Sequence, residues 1–241
     1  MRFRVQSLGA MTGPKVNPAY YEIVEHYEKC LETHGDTYLG VDWPNKEDAA
    51  TRYKIMLGVI AEPAPRPLKL LDFGCGAGHL LEFIEAEKLN HIDYIGLDIS
   101  PKFIALCRSK WPERDFIETD ILIDQNQLPR VDYLVMNGVF TEKRGLAYGK
   151  MFEYMRNVMR IAWPSVGKGM AVNVMSKSVD WERNDLFHLG KTEFAAFIKR
   201  DLSTHLKFYL DYGLYEYTAY IYRDHPKTCP AKPAQLGRFT G

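Results

Sequence analysis

The chain has no surplus of charge, no cysteine framework and no long apolar run, and each lack removes a class of function. Lysine plus arginine equals aspartate plus glutamate at 31 each, so there is no overall electrostatic footprint for nucleic acid or an anionic membrane. The four cysteines, Cys30, Cys75, Cys107 and Cys229, are far apart and in no metal-ligand spacing, which indicates neither a disulfide framework nor a metal centre. No apolar stretch approaches the ~20 residues of a membrane span. The basic residues near the N-terminus are followed by no apolar core of the kind that marks a secretory signal. Internal repeats and low-complexity tracts are also lacking. The expectation is a reduced, cytoplasmic, soluble protein without a metal. Residues before Met11 fit no element, so starts at Met1 and at Met11 read equally well.

What is present is the material for one core. With 46% hydrophobic and 13% aromatic residues over 241 positions, the chain can bury a single α/β domain with a small helical addition. Asn17 can cap a helix with Pro18 at its first position, and Tyr20, Val24, Tyr27 and Leu31 recur at helical spacing. Asn45 and Asp48 resemble a capping pair ahead of a second helix with the apolar stripe Ala49, Tyr53, Met56 and Ile60. Pro63, Pro65 and Pro67 then make a stiff connector. Beyond it, Leu68–Phe73, Tyr94–Leu97, Phe116–Glu118, Val131–Met136 and Met170–Met175 read as strands. Helical patterns separate them, the clearest being Met151, Met155, Val158 and Ala162, and Phe194, Phe197, Ile198 and Leu202 add one more. Such alternation predicts a parallel sheet covered on both faces. Leu206–Leu210 and Leu214–Arg223, around Asp211-Tyr212-Gly213, predict a closing antiparallel hairpin. The implied division is a helical N-terminal extension or lid over 1–66, the α/β core over 67–223 and a tail over 224–241.

The stretch LLDFGCGAGHLL, Leu70 to Leu81, falls at the turn from the first strand of this sheet into its first helix. Ligands of open α/β sheets bind at the carboxyl ends of strands, and glycines there let a ligand approach the backbone. A dinucleotide fingerprint needs a small residue where this chain has His79, which weakens a pyrophosphate reading. Asp72 at the strand end suits a ligand with an ammonium or sulfonium better than one with two phosphates.

LLDFGCGAGHLL, then YIGLDIS carrying Asp98, then FIETDI and VDYLVMNGVF resemble, in order, the signature motifs of the class I S-adenosylmethionine-dependent methyltransferases. The resemblance covers roughly Leu68 to Arg223. It implies a Rossmann-like, seven-stranded, mostly parallel sheet with an antiparallel C-terminal hairpin, the cofactor S-adenosyl-L-methionine, and methyl transfer. It implies that Gly74, Gly76 and Gly78 floor the methionyl part and that Asp72 assists its ammonium group. Asp98 would accept from both ribose hydroxyls and Ile99 would lie against the adenine. Asp120, with Ile121 beside it, would accept from the adenine amino group, and Asn137 and Gly138 would sit next to the sulfonium methyl. The fourth motif, Asn137-Gly138-Val139-Phe140, lacks the N/D-P-P-Y/F pattern of enzymes that methylate amino or amide nitrogens in DNA and protein. The chain therefore looks more like the small-molecule branch.

In that branch the acceptor is recognised by the N-terminal helices and by the loops after the fourth and fifth strands. SKSVDWERNDLFHLG, 176–190, offers Trp181, Arg183 and His188; GVFTEKRGLAYG, 138–149, offers Phe140; the extension offers Tyr21, Trp43 and Arg52. This mixture suits a compact polar acceptor such as a sugar, a sugar nucleotide or a secondary metabolite, methylated on oxygen or nitrogen. Each residue also has a plainer role: Trp181 can anchor its loop, Arg183 can pair with Asp180 or Asp185, and Arg52 can face solvent. His188 is the candidate catalytic base, because its ordinary pKa of ~6.5 suits proton transfer, although a lone histidine also serves packing or capping. Expected partners are the small-molecule acceptor, no nucleic acid and no membrane, with a homodimer admissible. Two other classes stay open. A nucleic-acid or protein methyltransferase would show a basic, aromatic-studded surface; a cofactor-binding protein without transfer activity would have a blocked acceptor pocket.

Overall fold

The computed structural model describes residues 18–61, 65–210 and 212–226. Asn17, Pro63, Asp211 and almost all of the tail therefore lie outside the described residues. The first helix, α1 (Tyr21–His34), starts three residues later than the Asn17-Pro18 signal predicts. Pro18 to Tyr20 instead form the turn into it, with the Tyr21 amide donating to the Pro18 carbonyl at 2.9 Å. A short 3-10 turn, Tyr38–Val41, reverses the chain. The second helix, α2 (Lys46–Leu57), is capped as its sequence predicts: the Glu47 amide donates to Asn45 Oδ1, and Asn45 Nδ2 donates to Asp48.

Among the described residues the sheet has eight strands: β1 (Leu68–Phe73), β2 (Ile92–Asp98), β3 (Asp115–Glu118), β4 (Val131–Met136), β5 (Val166–Ser176), β6 (His188–Leu189), β7 (His205–Tyr209) and β8 (Glu216–Tyr222). The connecting helices are α3 (His79–Ala86), α4 (Pro101–Lys110), α5 (Tyr148–Ala162) and α6 (Lys191–Asp201). The strand order is β3-β2-β1-β4-β5-β8-β7, with β6 paired to the end of β5. β1 to β6 pair in parallel, and β8 is antiparallel to both β5 and β7. The seven strands of that order are the expected ones, and β6 is added at the end of β5. It forms because the loop after β5 buries Phe187, His188 and Leu189 and presents their backbone to Met175 and Ser176.

Alternation along the strands sorts the core into two layers. Leu71 and Phe73 of β1 join Met155 of α5 and Phe194 of α6 on one face. Leu68 and Leu70 join Leu80 of α3 and Ile104 of α4 on the other. Tyr53 and Met56 of α2 belong to that second layer, whereas α1 fully buries only Ile23. Among the described residues, no helix is long and apolar enough to cross a membrane.

Candidate active site

The strand order reverses at β1, whose neighbours are β2 and β4, and the carboxyl ends of strands at such a reversal form a crevice. A cavity of about 880 Å³, its open mouth included, lies there. That size falls within the range of small-ligand sites. Its floor is the turn after β1, with Asp72, Gly74, Cys75 and Gly76, and its sides are Asp98 to Ser100 after β2 and Asn137 to Val139 after β4. Gly74 and Gly76 have φ of +74° and +51°, a region in which a side chain is strained. A Cβ on Gly74 would also lie 2.6 Å from the Val139 side chain. Bare backbone is therefore required for this turn to form the floor.

The roof comes from the N-terminal segment. One stripe of α1, Tyr20, Ile23, Val24 and Tyr27, faces the cavity together with Val41 and Trp43. The roof is tied down at its rim. The Ser100 hydroxyl donates to Glu28 at 2.6 Å, and Lys102 pairs with the same carboxylate at 2.7 Å. Asp36, just past α1, holds His79 at 3.0 Å and Lys110 at 2.6 Å. The hydroxyls of Tyr20 and Tyr21 donate to Asp120 Oδ2 at 2.7 and 3.3 Å.

Two buried acids set the electrostatics. Asp98 is 8% exposed; its Oδ2 accepts from the Gly76 amide and its Oδ1 from the Ser100 amide, both at 2.9 Å. Burial raises its pKa, opposed by these backbone donors. Each oxygen keeps a second lone pair, so the carboxylate can still accept from a diol. Asp72 is 3% exposed and takes one hydrogen bond, from the Tyr94 hydroxyl at 2.8 Å. Burial pushes its pKa up to about 7, with Tyr94 opposing and the charge of Asp98 adding. Among the described residues Asp72 is in no ion pair. A buried carboxylate in this condition favours a cationic ligand.

Behind the β4 turn runs a satisfied polar chain. Arg52 Nε donates to both oxygens of the buried Glu216 at 3.0 Å, and Arg52 lies over the Trp43 ring. Asn173 Nδ2 donates to Glu216 Oε1 and to Asn137 Oδ1, while Asn173 Oδ1 accepts from the Gly138 amide at 2.8 Å. This fixes the carboxamide of Asn137 and the backbone of Gly138 at the cavity edge.

Of the residues singled out from sequence, Asp72, Gly74, Gly76, Asp98, Ile99, Asn137, Gly138 and Trp43 line one cavity. The others do not. Gly78 begins α3 beneath Trp111, Ile121 is core, and Asp120 is engaged by Tyr20, Tyr21 and the Leu122 amide. Arg52 is bound to Glu216. Phe140 is wholly buried against Tyr154. Trp181 is 70% exposed, and Arg183 pairs with Asp185. His188 is corrected most clearly. It is 5% exposed, with Nδ1 2.6 Å from the Ser176 carbonyl oxygen and Nε2 accepting from the Arg183 amide at 3.3 Å. Both ring nitrogens thus brace their own loop, and neither reaches the cavity. Sequence reading placed the N-terminal helices over the site but did not assign Ile23, Val24 and Tyr27 to its lining. The spacing of 20, 23, 24 and 27 is visible, but such a stripe reads as core.

Residues 71–164 match the family described as a methyltransferase domain. Methyltransferase Rv1506c of Mycobacterium tuberculosis, whose own name is provisional, is 24% identical over 160 residues, 66% of this chain and 95% of that protein. Magnesium protoporphyrin IX methyltransferase of Synechocystis, crystallised with S-adenosylhomocysteine, superposes with a TM-score of 0.54 at 12% identity, covering 85% of this chain and 96% of the other. Human N-acetylserotonin methyltransferase, crystallised with S-adenosylmethionine, gives 0.55 at 15% identity, covering 84% and 57%. At these identities the two structures speak to the fold. The matched domain, the strand order and the motif turns gathered on one cavity agree: residues 71–164 form a methyltransferase domain, set in a sheet with the Rossmann-like fold of the S-adenosylmethionine-dependent methyltransferases.

Proposed function

We propose that the protein transfers a methyl group from S-adenosylmethionine to an oxygen or nitrogen of a small molecule with a flat, apolar or aromatic body. The observation that carries this reading is the make-up of the roof: Tyr20, Tyr27, Val41 and Trp43 line the same cavity as the Asn137–Gly138 turn, with Trp43 set against Gly138. Such a wall suits an apolar acceptor enclosed on most sides. The polar loop residues that suggested a compact polar acceptor, Trp181 and Arg183, lie outside the cavity. The acceptors named for the two fold neighbours are small molecules as well.

The cofactor supplies an activated methyl on a sulfonium. In this reading the unpartnered oxygen of Asp72 takes its ammonium group, the bare backbone of Gly74 and Gly76 underlies its methionyl part, and Asp98 accepts from its ribose hydroxyls. Ile99, which lines the same cavity, would lie against the adenine. Asp120 can serve the adenine amino group only in exchange for its bonds to Tyr20 and Tyr21. The chain's contribution to rate is then positioning: Asn173 and Glu216 hold the Asn137 turn, and the roof orients the acceptor. An amine acceptor needs only to arrive unprotonated, whereas an alcohol must lose its proton during attack.

The test incubates the protein with S-adenosylmethionine and a panel of small phenols and aromatic amines, free sugars, transfer RNA and a histone, reading S-adenosylhomocysteine formed. Turnover is expected with members of the aromatic set. Turnover restricted to sugars, RNA or protein would overturn the reading.

A further inference from the structure

We propose that His26, Cys30 and Asp42 form a binding site for a thiophilic divalent cation of the zinc type on the outer side of the cavity roof. His26 and Cys30 stand one turn apart on α1 and so share a face, with Cys30 Sγ 3.8 Å from His26 Nε2. The 3-10 turn at 38–41 then brings the chain back, and Asp42, at a φ of +57°, sets its Oδ2 2.7 Å from the same Nε2. The three donor atoms all lie within 4.8 Å of one another.

Sulfur and carboxylate converge on a single nitrogen. An imidazole nitrogen carries either one proton or one lone pair, so it can serve one of these neighbours well but not both. A cation at the common point serves all three. Tetrahedral zinc, with bonds of ~2.0–2.3 Å, sets nitrogen and sulfur about 3.6 Å apart and nitrogen and oxygen about 3.4 Å apart. The first spacing is already present. The second needs Asp42 to withdraw by about 0.7 Å, and its side chain is 39% exposed and free to do so. A thiolate, an imidazole and one carboxylate favour zinc-like ions over magnesium or calcium. His26 also lines a surface depression, on whose rim Arg144 is already paired with Glu142 and Asp185. The sequence hides this set because Asp42 lies beyond any regular ligand spacing and is delivered only by the chain reversal.

The position gives the ion a consequence. Tyr27 follows His26, and Val41 and Trp43 flank Asp42, and all three line the cofactor cavity. A bound cation would therefore fasten α1 to the returning segment directly behind the cavity wall.

The test uses the full chain, stripped with a chelator and titrated with cobalt(II), followed by competition with zinc(II). One equivalent of cobalt should bind with a near-ultraviolet thiolate-to-metal absorption that zinc displaces. Cys30→Ser should abolish that band, and His26→Gln should weaken cobalt binding by at least about tenfold, with circular dichroism unchanged. Should Cys30→Ser fail to fold, the His26→Gln titration decides. A missing band, a band that survives Cys30→Ser, or an affinity unaltered by His26→Gln would overturn the proposal. None of these readouts depends on methyl transfer, so they are independent of the acceptor reading.

Discussion

Asp72 makes the cavity pH-dependent. Its pKa of about 7 lies well above the ~3.9 of an unfolded aspartate, so between these values the folded state binds more protons than the unfolded chain. Stability contributed by this group is therefore present at low pH and falls as pH rises toward 7. A cationic ligand beside the carboxylate reverses the loss, because it stabilises the charged form that burial opposes. The expected outcome is a larger rise in melting temperature from S-adenosylmethionine at pH 8 than at pH 5.5. In Asp72→Asn that difference should flatten. Equal shifts at both pH values in the wild type would remove the cation role. Asp98 acts differently, since it is already held by two backbone amides and contributes its remaining lone pairs. Asp98→Ala should weaken cofactor binding by about 2 kcal/mol, the range for hydrogen bonds to a charged group. Calorimetry on the folded variant measures this, and unchanged affinity would dismiss the ribose assignment.

At the scale of elements, β6 and its loop separate a structural histidine from a catalytic one. His188→Ala strips the Ser176 carbonyl and the Arg183 amide of their partner in a buried setting. It should cost about 1–3 kcal/mol of stability. Cofactor affinity and kcat at saturating substrate should stay near normal. A denaturant titration alongside steady-state kinetics checks both, and a fall in kcat of about 100-fold or more would restore the base role. The loop shows why this part of the site was illegible. Composition places Trp181, Arg183 and His188 near a strand end but carries no information on direction, which follows from non-local pairing of β6 with β5 and of Glu142 with Leu186. The central strands were legible to the residue. β1 and β4 are buried on nearly every position, so each reads as a mostly apolar run, interrupted only by Lys69 and Asp72 in one and by Asp132 in the other, that ends where burial ends. β2 and β5 extend beyond the predicted runs, because Asp93 pairs in register with Lys69 and the Lys168 carbonyl accepts from the Arg223 amide at 2.9 Å, backbone pairings that hydrophobicity does not announce.

At the scale of the whole molecule, the prolines at 63, 65 and 67 suggest a hinge between two helices and a sheet, but packing divides the chain elsewhere. Met56 and Val59 are wholly buried and Tyr53 nearly so, in the same layer as β1 and α3. The Tyr220 hydroxyl donates to the Ile55 carbonyl, and Arg52 neutralises the buried Glu216. So α2 is part of the core, while α1 and the turn after it are held to the sheet by rim pairs over the cavity. Sequence reading found both helices, but a stripe of apolar residues cannot say which layer will receive it. Two truncations follow. Removing residues 1–42 should leave a cooperative thermal transition, with cofactor affinity lowered because the roof stripe is gone. Removing 1–62 should abolish cooperative folding. Losing the buried side chains of Tyr53 and Met56 costs about 2–5 kcal/mol each, and stranding the Glu216 carboxylate adds about 3–5 kcal/mol. Together these reach the whole stability of about 5–15 kcal/mol of an ordinary domain. Calorimetric melting of both chains, with S-adenosylhomocysteine titrated into the longer one, decides the matter. A cooperative transition in the shorter chain would return the boundary to the prolines and make α2 part of the cover.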